Sequence, residues 1–222
     1  MPLQHTIVAT FATLAATACT VAGAASFDCG KARTSSEKLI CASPETSALD
    51  TQLGAAFKEA LARAGEKSVV RQSQRDWLAS SGIKDCADAR CIDAALAQRI
   101  SLLDQVAAAG TPEAKWTGQF VRYYKGKVDQ DQSSITVLGL KDGRLAIDGS
   151  ALWLGPNAAQ GQVNTGELRG RTAVPTLAGV VRYVDEECHA TLRLRADVLE
   201  ITDEQGCGGM NVTFNGQYKR IK

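Results

Sequence analysis

Aromatic side chains are scarce in this chain, 5% of 222 residues, and there are only two histidines. A core with so few rings must be filled mainly by aliphatic and small side chains. So few imidazoles cannot build a His-based metal array; His5 lies near the N-terminus and His189 stands alone. No sign of charge dominates either. Lys plus Arg is 25 against 24 for Asp plus Glu, which gives no basic footprint for nucleic acid or anionic lipid. No Walker A or dinucleotide-binding glycine pattern occurs. No apolar run reaches the ~20 residues of a spanning helix. The expectation is therefore no cofactor, no metal, no nucleic-acid partner and no membrane span.

What is present begins with an uncharged leader. Residues 1–25 carry no Lys, Arg, Asp or Glu, and Ile7 to Ala16 is apolar. The stretch ends Val21-Ala22-Gly23-Ala24-Ala25-Ser26, where Ala22 and Ala24 form the small-residue pattern that signal peptidases recognise. This reads as a signal peptide over 1–25, cut near Ala24 or Ala25, and so as a periplasmic or secreted protein. An uncleaved anchor is one alternative. Lipidation at Cys19 is another, although Ala16 stands where a larger aliphatic is usual. Seven cysteines occur. Without Cys19 the even set is Cys29, Cys41, Cys86, Cys91, Cys188 and Cys207, which in an exported chain reads as three disulfides. Local spacing suggests Cys29–Cys41, Cys86–Cys91 and Cys188–Cys207.

The remainder divides in two at Gly110-Thr111-Pro112-Glu113, a breaker after an Ala-rich helix end. Residues 26–111 read as helices. Ser35 to Cys41 is a short turn with a hydroxyl cap, and Ser43-Pro44-Glu45 is a helix start. Leu49, Leu53, Ala56, Phe57, Ala60, Leu61 and Ala64 then recur at helical spacing, with Gly65 as C-cap. A second helix spans about Lys67 to Ser80 and is stopped by Ser81-Gly82. A third carries Ile92, Leu96, Ile100, Leu103 and Val106 on one face.

Residues 113–222 read as strands. Cys188, Ala190, Leu192, Leu194 and Ala196 alternate with polar residues, as do Val212, Phe214, Gly216 and Tyr218. Other runs are 117–123, 134–138, 144–147, 151–154, 161–168, 179–184 and 198–202, with Asp142-Gly143 and Asp148-Gly149 as turn signals. Gly118-Gln119-Phe120 opens this half and Gly216-Gln217-Tyr218 closes it, glycines that would let two strands of a closed barrel approach. The fold class expected is α+β: a small disulfide-stapled helical domain, then an antiparallel all-β barrel-like or sandwich domain, each folding on its own.

Phe27-Asp28-Cys29, Glu37 to Ile40-Cys41, Leu49-Asp50, Gln74-Arg75-Asp76-Trp77-Leu78 and the pair Cys86 and Cys91 occur in the order found in the N-terminal domain of the LprI-type lysozyme inhibitor family. Residues of about 27–104 resemble that domain. A basic residue is common in the family shortly after the Trp, and here none occurs before Lys84. The resemblance implies an exported protein that binds lysozyme and blocks its hydrolysis of peptidoglycan. An envelope structural or interaction module, or a barrel holding a small ligand, are the alternatives.

The residues offer little for catalysis. A nucleophilic triad would have to use His189, which strand alternation sets beside Asp185-Glu186-Glu187, and six paired cysteines leave no thiolate. The chain is therefore read as a non-enzyme. A blocker of lysozyme must meet a cleft with two carboxylates and a basic rim. Lys125-Gly126-Lys127, Lys141 with Arg144, and Arg169 with Arg171 are the candidate cationic loops; Asp185, Glu186 and Glu187 form the candidate acidic patch.

Overall fold

The computed structural model describes residues 25–129 and 131–221. Residues 1–24 of the expected leader, with the lipidation site at Cys19, lie outside the described residues; Ala25, beside the expected cut near Ala24 or Ala25, is the first residue within them. The protein is α+β, with helices followed by a nine-stranded antiparallel sheet rolled into a nearly closed barrel.

The helices start where local chemistry dictates. In α1 (Ser35–Ala42) the Thr34 hydroxyl accepts from the Glu37 N–H, and the Glu37 carboxylate accepts from the N–H groups of Arg33 and Thr34. This reciprocal cap satisfies donors that the first turn leaves free. In α2 (Pro44–Arg63) Ser43 caps and Pro44 fits the first turn. After α3 (Lys67–Ala79), Ser80 turns extended, and a short α4 (Ser81–Lys84) follows where only a stop is expected. Asp88 caps α5 (Ala89–Gln105). Gly65 is not the left-handed cap of α2. Ala64 ends that helix in extended conformation, and Gly65 lies against Ala109, 3.5 Å from where a Cβ would sit.

Disulfides Cys29–Cys41 and Cys86–Cys91 close two local loops of the helical half, and Cys188–Cys207 closes one in the barrel. These are the pairings that local spacing suggests.

The strands are β1 (Gly118–Tyr124), β2 (Lys127–Val128), β3 (Ser134–Gly139), β4 (Leu145–Leu154), β5 (Val163–Arg171), β6 (Val180–Asp185), β7 (Cys188–Arg195), β8 (Val198–Gln205) and β9 (Gly216–Ile221). The ladder order is β5-β4-β3-β1-β9-β8-β7-β6, with β2 paired on β1. Apart from the short β2, which pairs only with β1, strands next to each other in sequence pair on each side of a seam between β5 and β6, and the last strand pairs the first, so the sheet is an up-and-down barrel open at that one seam. Two ties span that seam: the Tyr183 hydroxyl donates to the Arg169 carbonyl at 2.7 Å, and Gly166 bridges to Gly208 in the loop after β8.

Asp148-Gly149, expected as a turn, lies inside β4. Gly149 is there because a Cβ would press on Ile135, Leu168 and Phe214. The alternation expected from Val212 becomes strand only at Gly216, although Phe214 is fully buried.

The paired glycine motifs meet as expected and explain more than close approach. Gly118-x-Phe120-x-Arg122 on β1 and Gly216-x-Tyr218-x-Arg220 on β9 lie antiparallel, with Phe120 opposite Arg220 and Arg122 opposite Tyr218. Each glycine leaves room for the other strand's arginine, since a Cβ on Gly118 would overlap Arg220 and one on Gly216 would crowd Arg122. Arg220 stacks on Phe120, pairs with Asp197 at 3.0 Å and donates to the carbonyls of Lys115 and Thr117. Arg122 pairs with Asp129 at 2.7 Å and donates to the Thr213 carbonyl. The two arginines thus tie the opposite ends of the barrel.

Two apolar clusters form. One fills the barrel with Phe120, Phe214, Tyr183, Tyr218 and aliphatic neighbours. The other lies among the helices and takes in Leu138, Leu140 and Ala146 from the outer face of β3, its hairpin and β4. Backbone bonds also cross: Ala107 N–H to the Gly139 carbonyl at 2.9 Å, and Lys141 N–H to the Gln105 carbonyl at 2.7 Å. Helices give way to strands across residues 110–117, but packing does not stop there. The helical half rests on the barrel wall.

Candidate functional site

An open, mostly apolar cavity of about 670 Å³ lies in the helical half, bounded by α1, α2, α3 and α4. Phe27, Ile40, Leu53, Phe57, Leu78 and Ile83 supply its apolar wall; Glu37, Asp50, Gln74 and Lys84 supply its polar edge. Six of these residues, Phe27, Glu37, Ile40, Asp50, Gln74 and Leu78, belong to the ordered motif read from the sequence. Their spacing in the chain gives no hint that they converge. The helices bring them together because Cys29–Cys41 folds the N-terminal segment back onto α1 and α2, while Gln74 and Leu78 lie one turn apart on α3.

Hydrogen bonds hold three of the polar groups at this opening. Glu37 accepts two backbone N–H bonds, first from Thr34 and then from Arg33, and these hold its carboxyl below the usual carboxylate range. The buried Asp50 carboxylate accepts from the Ser26 nitrogen at 2.7 Å. Gln74 is held by Arg99 of α5, whose Nε donates to the Gln74 side-chain oxygen at 2.8 Å. A concave apolar site with a few oriented polar groups is what a bound side chain or small ligand requires.

Arg99 is a structural neighbour of the site, through Gln74, that the sequence does not announce. It is buried, donates to Ser73 as well as Gln74, and lies over the Trp77 ring at 5.7 Å. Burial lowers its pKa to about 10, against which the carboxylates of Asp148 and Asp76 act. This arginine closes the inner side of the helical layer where it meets the barrel.

The sequence-derived candidates fall in different places. Asp185 ends β6, and Glu186 and Glu187 form the β6–β7 turn, all three exposed. His189 follows on β7, opposite Val184. Lys141 and Arg144 are exposed on the β3–β4 hairpin, with Gly143 at positive φ in its turn. By strand direction this hairpin and the acidic turn occupy opposite ends of the barrel. Lys125-Gly126-Lys127 is an exposed turn at the acidic end, so a cationic and an anionic turn share that end.

Arg169 and Arg171 are not on a loop. They stand on β5, opposite Asp148 and Ala146 of β4. Arg169 pairs with Asp148 at 3.3 Å and Glu167 at 3.6 Å beneath α3. The intervening Gly170 suggests a turn in sequence; in the barrel it packs by the Tyr183 hydroxyl at the seam. These two arginines cannot enter a partner's cleft as a protruding loop.

The barrel interior is occupied by fully buried Phe120, Phe214, Tyr183 and Tyr218. Those rings take the space that a ligand-carrying barrel would keep open. Comparison with family models, curated proteins and solved structures yields no match for this chain.

Proposed function

We propose that this chain is an exported, non-catalytic binding protein that engages a C-type lysozyme and slows its cleavage of peptidoglycan. The observation that supports this reading is the convergence of the LprI-like motif residues on one open apolar cavity, with Glu37 and Lys84 at its edge. A cavity of this kind accepts an apolar side chain from a partner and excludes water around it. The acidic turn Asp185-Glu186-Glu187 supplies exposed charge for the basic rim of such a partner. Lys141 and Arg144 supply the opposite charge at the other end.

Binding of purified lysozyme to the oxidised protein, followed by a cell-wall lysis assay, tests the reading. Leu78→Asp places a charge on the cavity wall and is expected to weaken binding at least tenfold. Reversal of Asp185, Glu186 and Glu187 to Lys should slow association more than it speeds dissociation. Raising salt to ~0.5 M should reduce that contribution, because screening shortens to roughly 4–5 Å. Alanine at Lys141 and Arg144 tests the opposite end, since one docked lysozyme is not expected to need both. No binding at tens of micromolar lysozyme, with the three disulfides intact, rejects the proposal. An envelope interaction module using the same cavity for another partner would then be the better account.

A further inference from the structure

Asp50 sits on α2, second turn, with 8% of its surface exposed. No ion pair reaches it among the described residues. Its described side-chain partner is the backbone nitrogen of Ser26, at 2.7 Å from Oδ2. Glu37 on α1 and Lys84 on α4 line the same cavity. A carboxylate withdrawn from water needs a counter-charge or several donors to offset desolvation, and one neutral amide supplies neither. The segment around Ser26 is seated for a close approach. Phe27 packs on the helical cluster, and the Ser26 side chain lies within ordinary contact distance of Gly54, one turn after Asp50.

We propose that the leader is removed between Ala25 and Ser26, and that the ammonium freed on Ser26 becomes the counter-ion of Asp50. The inference rests on the export reading. A signal peptidase supplies the hydrolysis: one water is consumed, the carbon–nitrogen bond of the Ala25–Ser26 peptide breaks, the new carboxylate leaves on Ala25, and the amine stays on Ser26 and takes a proton. Ala25 and Gly23 are the small residues this cut requires at its first and third positions. A cut one residue earlier would set the ammonium on Ala25, about 3.8 Å along the chain, and leave Asp50 with the neutral amide. Processing thus fixes the mature N-terminus to α2 and places an ion pair in the wall of the cavity.

Two measurements decide it. The full precursor is expressed in an exporting bacterium, and the secreted or periplasmic protein is digested and its N-terminal peptide read by mass spectrometry. The expected first residue is Ser26; an exported protein beginning at Ala25 or Cys19, or keeping its leader, overturns the proposal. Failure to export at all would count against the export reading alone, and the second measurement then decides the pairing. Chain 26–222 with a free Ser26 amine is compared with the same chain carrying an Nα-acetyl group. The unfolded α-amine titrates near ~7.7–8.0, and pairing raises the folded value. The stabilisation is therefore full below that range and lost as pH rises through the folded value. The free-amine chain should melt about 2–4 °C higher at pH 6, the gap should close at alkaline pH, and Asp50→Asn should abolish it. Equal melting at pH 6 overturns the proposal even if the cut is found at Ser26.

Discussion

The helical half and the barrel solve the same stability problem by different means. The barrel buries four large rings and ties its ends with Arg122 and Arg220, each seated against a glycine of the other strand. The helical half is built on Ala56, Ala60, Ala64 and short aliphatics, carries two of the three disulfides and opens into a large cavity. Small cores of this kind need staples or a neighbour. Here the neighbour is the barrel wall, through Leu138, Leu140 and Ala146. An open apolar site can be kept in the layer that a rigid support holds from behind.

The comparison is broken most directly by separating the halves. Residues 113–222, expressed alone under oxidising conditions, should keep strand circular dichroism, whereas 26–111 alone should lose most of its helix signal. Cooperative melting of the isolated helical fragment at the temperature of the full chain would show that it needs no support. The next largest effect is expected at the barrel end. Asp129→Ala leaves Arg122 with 7% of its side chain exposed and no carboxylate. It should cost about 3 kcal/mol in denaturant unfolding, the low end for a broken buried pair because Asp129 is partly solvated.

Alkaline titration separates the halves by chemistry. Burial pushes the hydroxyls of Tyr183 and Tyr218 up to about 12, both in the barrel. An acid whose folded pKa is raised stabilises the fold fully below its unfolded value near ~10 and loses that contribution as pH climbs toward the folded value. The barrel should therefore weaken between about pH 10 and 12, followed by tyrosinate absorbance, and Tyr218→Phe should reduce the slope. The smallest effect belongs to the helical half. Thr34→Ala removes one side of the α1 cap and should cost about 1 kcal/mol, read as a shift in the denaturant midpoint.

Much of the architecture was legible because it is locally encoded. Ser43-Pro44-Glu45 marks a helix start by capping chemistry, and the alternation from Cys188 marks a half-buried strand by its period of two. The misreadings share one cause. Asp148-Gly149, Arg169-Gly170-Arg171 and Gly65 are glycine signals that look like turns or caps; Gly149 instead sits within β4 where a Cβ would crowd Ile135, Leu168 and Phe214, and Gly170 sits within β5 at positive φ. A glycine that makes room for a neighbour looks, in sequence, like one that turns the chain. The candidate site follows the same rule. Its motif residues were visible one by one, but their convergence on a cavity depends on how α1 to α4 pack. Arg99 was missed because a buried arginine in an amphipathic helix carries the same local signature as a solvated one.

The seam between β5 and β6 has a use beyond closure. It divides the barrel into two four-stranded meanders, β1-β3-β4-β5 and β9-β8-β7-β6, that share the β1–β9 ladder. Between β5 and β6 the chain crosses only once, through residues 172–179, where Leu177 is fully exposed. A nick there severs no strand and leaves Cys188–Cys207 within one fragment. The two pieces would then meet along one antiparallel ladder, each bringing half of the interlocked glycine–arginine pairs, which makes the barrel a natural scaffold for fragment complementation.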